Sequence, residues 1–114
     1  MKTLTVDQEM GFGPCYTRAR VKKLFAGRAR LHFRTIAKMD IPAMDRLWTL
    51  LHMMDTRQLR EATRRYSGVD PGHYVTFQCA WNAVLGAARG AVRRTGWGAQ
   101  EQQVSVACEI MEGR

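Results

Sequence analysis

Apolar residues recur along most of the chain at the spacing of an amphipathic helix, and the clearest case begins at Asp40-Ile41-Pro42. A proline suits the first turn of a helix, so Pro42 predicts a helix start. Five large apolar residues follow at positions i, i+3, i+4, i+7 and i+10: Met44, Leu47, Trp48, Leu51 and Met54. Because this spacing places their side chains on one face, we predict that the segment is the main core helix.

Two short helices are predicted upstream of this segment. Thr5 and Gln8 have the spacing of a capping box, so a first helix should extend to about Met10. A second short helix is expected at about Phe33–Met39, although residues 31–33 could instead be extended. The choice between helix and extended chain stays open at that point.

Between these two lies a helix with a basic outer face. Thr17 can cap its N-terminus, and Gly27 suits the position after its C-cap. Three apolar residues share one arc of about 100° on the helical wheel, which is the usual width of a core-facing stripe: Val21, Leu24 and Phe25. The remaining surface of this helix is predicted to carry its arginines and lysines into solvent.

A further helix begins at Asp55, which forms a second capping box with Gln58. Its predicted inner face comprises Leu59, Ala62 and Tyr66, and it ends at Ser67-Gly68. After a break at Gly96-Trp97-Gly98, a final helix is expected over about Ala99–Glu112. That helix presents Val104, Ala107, Cys108 and Met111 to the core.

The longest helix is predicted to start at Asp70-Pro71 and to end near Arg94. Its core stripe comprises Tyr74, Phe77, Trp81, Val84, Leu85, Ala88 and Val92. A second stripe holds only small residues: Cys79, Ala83, Gly86 and Gly90. Since glycine costs about 1 kcal/mol relative to alanine inside a helix, this stripe predicts the close approach of another backbone. That backbone belongs either to a neighbouring helix of the same chain or to a second copy in a homodimer.

No segment alternates apolar and polar residues between two turn signals, as a half-buried strand would. A chain of 114 residues is close to the commonest domain size. The sequence therefore predicts an all-α fold, a compact single-domain bundle of five to seven helices that spans residues 1–114.

The chain is strongly positive, with 18 Lys and Arg against 10 Asp and Glu and a formal net charge of +8. No Asp or Glu occurs between Met10 and Met39. This acid-free run supplies the first candidate partner-binding face: Arg18, Arg20, Lys22, Lys23, Arg28, Arg30, Arg34 and Lys38. A second basic face comprises Arg57, Arg60, Arg64 and Arg65, and a third region comprises Arg89, Arg93 and Arg94.

Two interpretations of this charge stay open. Each basic region could contact an acidic protein surface or phosphates, since guanidinium groups suit both. Each could also be no more than the solvated face of an amphipathic helix, in a chain whose arginine content reflects a GC-rich genome. No helix carries the Asn, Gln and Arg cluster expected of base readout, so any nucleic-acid contact would be made through phosphates.

Candidate chemistry is sparse. The three histidines are 20 and 21 residues apart, and no phosphate-binding glycine loop is present. Cys15, Cys79 and Cys108 are odd in number and far apart, which favours free thiols in a reducing compartment. We therefore expect no catalytic residues, no metal and no cofactor. The absence of an apolar leader and of a span-length apolar run predicts a cytoplasmic protein without a membrane partner.

Two motifs resemble a group of short, uncharacterised phage and prophage proteins, some of which are labelled immunity proteins. The first is G-x-C-Y-x-x-x-R-V-x-x-L-F-x-G-R from Gly13 to Arg28, and the second is D-I-P-x-x-D-x-L-W-x-L-L from Asp40 to Leu51. Residues 80–103 also look like a shortened form of the Ala-rich, Trp-containing helix of that group. The motifs are structural, so the resemblance implies a mobile-element context in a bacterial host and carries over no site residue.

These observations lead to two functional hypotheses. The first is a small non-catalytic interaction protein, an inhibitor that docks a basic helical face on an acidic surface of a host protein or nucleoprotein complex. Anti-CRISPR proteins are an analogy for such small inhibitors, and a toxin-neutralising immunity protein is a minor variant. The alternative is non-specific binding of nucleic acid through the arginine and lysine faces.

Overall fold

The computed structural model describes the backbone of residues 1–95 and 98–113, and the side-chain surroundings of residues 1–87 and 100–113. Seven helices and one pair of short strands make up these residues. In chain order they are β1 (Thr3–Leu4), α1 (Val6–Gly11), α2 (Arg18–Phe25), β2 (Leu31–His32), α3 (Phe33–Ala37), α4 (Ala43–Met53), α5 (Thr56–Ser67), α6 (Phe77–Thr95) and α7 (Gly98–Met111). The predicted mostly α-helical fold is confirmed.

The predicted core helix, α4, lies at the centre of the fold. It packs against α3, α6 and α7, while α5 packs mainly on α6 and α1 packs on α2. The side chains of Leu47, Leu50 and Leu51 are completely buried. Since burying one leucine side chain is worth about 2 kcal/mol, these residues make α4 the main apolar support of the fold.

Local capping signals determine where several helices begin and end. The side chains of Thr5 and Asp55 both accept hydrogen bonds in complete capping boxes, and Thr17 Oγ1 accepts from the backbone N–H of Arg20. Gly68 ends α5 in the left-handed conformation with φ +77°, where a side chain would be strained. The corresponding sequence predictions are confirmed.

One of the two strands, β2, occupies the region that the sequence left open, whereas β1 was not predicted. β1 and β2 pair antiparallel, with Thr3 opposite His32 and Leu4 opposite Leu31. The backbone N–H of Phe33 also donates to the carbonyl oxygen of Lys2 at 3.0 Å. This pairing holds residues 31–32 extended, and α3 follows immediately. The N-terminal segment is thereby fastened beside the core.

The predicted starts of two helices are wrong. Pro42 is the N-cap of α4 and not part of its first turn. The long helix α6 begins at Phe77 instead of Asp70, because the Asp70 carboxylate accepts from the backbone N–H of Gly72 and Gly72 turns the chain with φ +82°. Thr76 then caps α6, since its Oγ1 accepts from the backbone N–H of Cys79 at 3.3 Å.

This later start also changes which residues reach the core. Tyr74, predicted to lie on the core stripe, is 96% exposed, whereas its neighbour Val75 is buried. Trp81 is half-buried and Val84 is fully buried, as the stripe predicts for the helical part. The predicted break at Gly96-Trp97-Gly98 falls between α6 and α7, and residues 96 and 97 lie outside the described part of the chain.

Two residues of the small-residue stripe, Cys79 and Gly86, do not pack against the described part of the chain. Cys79 and Gly86 are exposed, and a Cβ atom added to Gly86 would meet nothing within 4 Å. The predicted close approach of another helix of the same chain is therefore wrong at Gly86. Ala83 is half-buried, and the surroundings of Gly90 lie outside the described residues. Homodimer packing through this stripe stays a prediction.

None of the described helices combines the length and the apolar character needed to cross a membrane.

Arg46 provides the main polar link between the elements around α4. Its guanidinium donates to the carbonyl oxygens of Ala37 at 2.7 Å and Ile41 at 3.1 Å. It also pairs through both terminal nitrogens with the carboxylate of Glu101 in α7. The Arg46 side chain is 9% exposed and that of Glu101 is 60% exposed. A buried charge is tolerated only when its hydrogen bonds are satisfied, as they are here.

We predict that Arg46→Met lowers the free energy of unfolding by about 3 kcal/mol, because it leaves the carbonyl groups of Ala37 and Ile41 without this donor. Glu101→Gln should cost about 1 kcal/mol or less, since that carboxylate is largely solvated and the carbonyl bonds of Arg46 persist. Urea denaturation followed by circular dichroism measures both. Equal losses for the two variants would contradict this account of Arg46.

Candidate functional site

The first predicted basic face is carried by α2, by the turn after it and by α3. Val21 and Phe25 are buried, and this fixes the orientation of α2 so that its cations face solvent. The helix ends at Ala26 and Gly27, both of which have a positive φ. All eight predicted cations are exposed: Arg18, Arg20, Lys22, Lys23, Arg28, Arg30, Arg34 and Lys38.

Half of these cations are occupied by contacts within the chain. Arg18 forms an ion pair with Asp7 at 2.6 Å, and Arg34 forms one with Glu112 at 2.7 Å. The guanidinium carbon of Arg20 lies 4.9 Å from the centre of the Tyr16 ring, a cation–π contact. Arg30 donates to Thr3 Oγ1 at 3.4 Å. These four side chains therefore also hold neighbouring elements together.

The other four cations form no ion pair with any described residue: Lys22, Lys23, Arg28 and Lys38. Lys22 and Lys23 lie in the last turn of α2, and Arg28 follows in the turn that its N–H closes on the carbonyl oxygen of Phe25. Lys38 lies apart from them at the end of α3. We call Lys22, Lys23 and Arg28 the α2 basic surface.

The second predicted basic face is largely neutralised within the chain. Arg60 binds Asp70 through two nitrogens at 3.1 and 2.9 Å, and Arg64 and Arg65 both bind Glu61. These contacts lower the pKa of Glu61 and of Asp70 to about 2. Arg65 also reaches Glu109 of α7 at 3.3 Å. The fourth member, Arg57, is exposed and forms no ion pair with a described residue.

These ion pairs connect α5 to the turn at residues 68–72 and to α7. Exposed pairs of this kind contribute little stability individually, so their main consequence is electrostatic. They leave the second face with much less uncompensated positive charge than its sequence indicates. The side-chain surroundings of the third region, Arg89, Arg93 and Arg94, lie outside the described residues.

Sequence reasoning missed a cluster of half-buried rings centred on His52. The His52 ring lies between Phe12 and Phe77, with ring centres 4.8 and 3.6 Å away, and both pairs are stacked. Trp48 meets His52 edge-on at 4.2 Å, and Trp81 stacks on Phe77 at 6.1 Å. Burial lowers the pKa of His52, which favours the neutral ring. The cluster joins the segment after α1 to α4 and α6.

A cavity of about 320 Å³ lies beside this cluster. Its walls come from residues of α1, α2, α3 and α4, with Trp81 contributed by α6. Most of the lining is apolar, and one lining residue, Cys15, is exposed. This volume falls at the lower end of the range of pockets that bind small molecules.

Glu9 lines the cavity and is only 7% exposed. Its Oε1 accepts a long hydrogen bond from Thr49 Oγ1 at 3.4 Å, and its Oε2 has no hydrogen-bond partner among the described residues. Burial raises the pKa of Glu9, and the bond from Thr49 offsets only part of this effect. In the sequence Glu9 is one of several polar residues in a short helix, and no local signal marks it as buried.

A second carboxylate, Asp45, also lines the cavity. It accepts a short hydrogen bond from the hydroxyl of Tyr16. This bond connects the segment before α2 with the first turn of α4. Burial, followed by this bond to Asp45, raises the pKa of Tyr16, so the phenol stays protonated. The residues that the structure describes contain no group of three or more His, Cys, Asp or Glu that could hold a metal ion.

The raised pKa of Glu9 predicts a specific pH dependence of stability. The folded protein retains the Glu9 proton to a higher pH than the unfolded chain does, so the free energy of unfolding should fall as pH rises through the folded pKa. Glu9→Gln should remove this decrease, whereas Asp7→Asn, on the exposed face of the same helix, should retain it. Urea denaturation at closely spaced pH values above 4.5, the ordinary pKa of glutamate, measures the slope.

The carboxylates with a lowered pKa affect the free energy of unfolding over a different pH range. Glu61 and Asp70 contribute stability that is lost only as pH falls toward their pKa of about 2. The two effects can therefore be separated in one titration. The same decrease above pH 4.5 in the wild-type protein and in Glu9→Gln would show that another group causes it.

Comparison of the chain with protein-family models, with curated protein sequences and with solved structures yields no match.

Proposed function

We propose that this protein is a non-catalytic interaction protein that docks the α2 basic surface on an acidic surface of a partner protein. One observation carries the proposal: Lys22, Lys23 and Arg28 are exposed and have no carboxylate partner among the described residues. By contrast, most other cations of the first and second faces are already engaged with described residues. Uncompensated charge on a folded surface favours encounter with a surface of opposite sign.

The α2 basic surface is carried by a helix that is anchored in the core. Val21 and Phe25 anchor α2 in the core, and Thr17 caps its N-terminus. The partner would therefore meet cations displayed by a folded helix rather than by a disordered arm. Such preorganisation reduces the entropy lost on binding. Placement of Lys22 and Lys23 at the C-terminal end of α2 is also favourable, because that end of a helix carries partial negative charge.

A protein partner is favoured over nucleic acid because most cations of the first and second basic faces are engaged within the described part of the chain. A surface that follows a phosphate backbone needs a row of free cations, each of which displaces condensed counterions. The second basic face, which could have extended such a row, has three of its four arginines paired with carboxylates. A compact group of three cations fits a localised acidic patch better.

The resemblance of residues 13–51 to phage and prophage proteins suggests where the partner would be found. The proposed role is inhibition of a protein or nucleoprotein complex of a bacterial host cell. The inhibitory role is supported by the resemblance and by analogy with anti-CRISPR proteins, and the choice of docking surface is supported by the free cations.

We predict that the variant K22Q/K23Q/R28Q loses binding to the partner by about tenfold or more, because the complementary charges are removed. The partner is first captured from a nuclease-treated bacterial lysate with immobilised wild-type protein, then measured by surface plasmon resonance. The matched control R57Q/R60Q/R64Q removes the same formal charge from the largely paired face and should bind within about twofold of wild type.

Anisotropy titrations with random duplex DNA at two salt concentrations test the alternative. Weak DNA binding together with a nuclease-resistant complex agrees with the proposal. Tight binding to random DNA with a steep salt dependence, and no complex that survives nuclease, would contradict it. Equal losses for the two triple variants would exclude the α2 basic surface as the docking site.

A further inference from the structure

The cavity beside α1 has the composition of a small-molecule site. Such sites are mostly apolar and contain a few polar groups that orient the ligand. Here Val21, Phe25, Leu31 and Ile36 supply apolar wall, and Trp48 and Trp81 supply aromatic faces. Its volume of about 320 Å³ can accommodate a compact organic molecule.

Glu9 is the feature of this cavity that packing does not explain. A buried carboxylate normally accepts several hydrogen bonds, because leaving an acceptor unpaired away from water is costly. Glu9 accepts only the long bond from Thr49, and its Oε2 has no partner among the described residues. Since Glu9 lines the cavity, an occupant that donates to its carboxylate would supply a missing hydrogen bond.

The charged groups that line the cavity determine which sign of charge a ligand there must carry. The lining contains the carboxylates of Glu9 and Asp45 and no Arg, Lys or His side chain. The Asp45 carboxylate already accepts from the Tyr16 hydroxyl, so Glu9 is the less satisfied of the two acids. A carboxylate or phosphate ligand would be repelled here, whereas an ammonium group would be attracted.

The apolar walls favour an organic cation over a hydrated inorganic cation as the ligand. A hydrated inorganic cation would lose its water shell without gaining enough oxygen ligands, because the described residues hold no group of three metal-ligating side chains. An organic cation places its apolar part against the walls and its ammonium on the carboxylate. Trp48 and Trp81 also line the cavity, and an indole ring attracts a positive group that lies over its face.

We propose that the cavity is a binding site for a small primary amine with an apolar or aromatic body, whose ammonium group donates to the carboxylate of Glu9. This site is separate from the α2 basic surface, whose cations face solvent. Its occupation therefore does not depend on the proposed protein partner. Burial raises the pKa of Glu9, and a bound ammonium group would take the place of the proton that burial favours.

Isothermal titration calorimetry with three probes of similar size tests the site: 2-phenylethylamine, 2-phenylethanol and phenylacetate. We expect the amine to bind about tenfold more tightly than the alcohol, the gain of a charge-assisted hydrogen bond over a neutral one. Phenylacetate should show no binding. Shifts of the Trp48 and Trp81 indole N–H signals in NMR spectra locate the bound amine, since both rings line the cavity.

Glu9→Gln should weaken amine binding by about tenfold and leave alcohol binding within about twofold. Asp7→Asn removes a carboxylate from the same helix outside the cavity and should bind all three probes as wild type does. Circular dichroism checks that each variant is folded. The comparison of amine with alcohol in the wild-type protein tests the proposal even if Glu9→Gln does not fold.

Three outcomes would overturn the proposal. One is equal affinity for amine and alcohol in the wild-type protein, and another is unchanged amine affinity in folded Glu9→Gln. The third is no detectable binding of any probe, which would leave Glu9 as a buried, protonated core residue. None of these outcomes bears on K22Q/K23Q/R28Q, so failure here and failure of the proposed docking function are distinguishable.

Discussion

The buried guanidinium of Arg46 is the polar interaction that connects the central helix α4 with α3 and α7. It satisfies carbonyl groups at Ala37 and Ile41 and holds Glu101 of α7 against α4. A buried charge is stable only while its hydrogen bonds are satisfied, so it restricts how α3, α4 and α7 can be arranged. The same helix carries Asp45 and Thr49 into the cavity. The geometry of that cavity therefore depends on Arg46.

The positive charge of the chain is divided between structure and free surface. In α5, the guanidinium groups of Arg60, Arg64 and Arg65 form ion pairs with carboxylates. These carboxylates lie three to ten residues away in the sequence or on α7. In α2, Lys22 and Lys23 have no such neighbours, because no acidic residue occurs nearby in the sequence. The net charge of +8 is thus a poor guide to the electrostatic surface. The pairing of each cation decides which face can attract a partner.

Glu9 contrasts with these exposed charges. It is held in the apolar surroundings of α1 and α4 with a single weak hydrogen bond, a costly arrangement for an acid. Local features that reduce stability are typical of binding sites, because an unsatisfied group becomes favourable when a ligand satisfies it. The two proposals also use opposite charges, with cations on the outside of the fold and carboxylates within the cavity. They can be tested independently.

The sequence alone determined most of the helices, because caps and apolar periodicity are properties of neighbouring residues. Thr5, Thr17 and Asp55 cap helices as predicted, and Leu47, Leu51 and Met54 of the predicted α4 stripe are buried. The start of α6 was missed because Asp70 and Gly72 form a turn and Arg60 of another helix binds Asp70. The charge partners, the cavity and the burial of Glu9 were decided only by the tertiary structure. They depend on contacts between residues far apart in the chain, and no local pattern encodes those contacts.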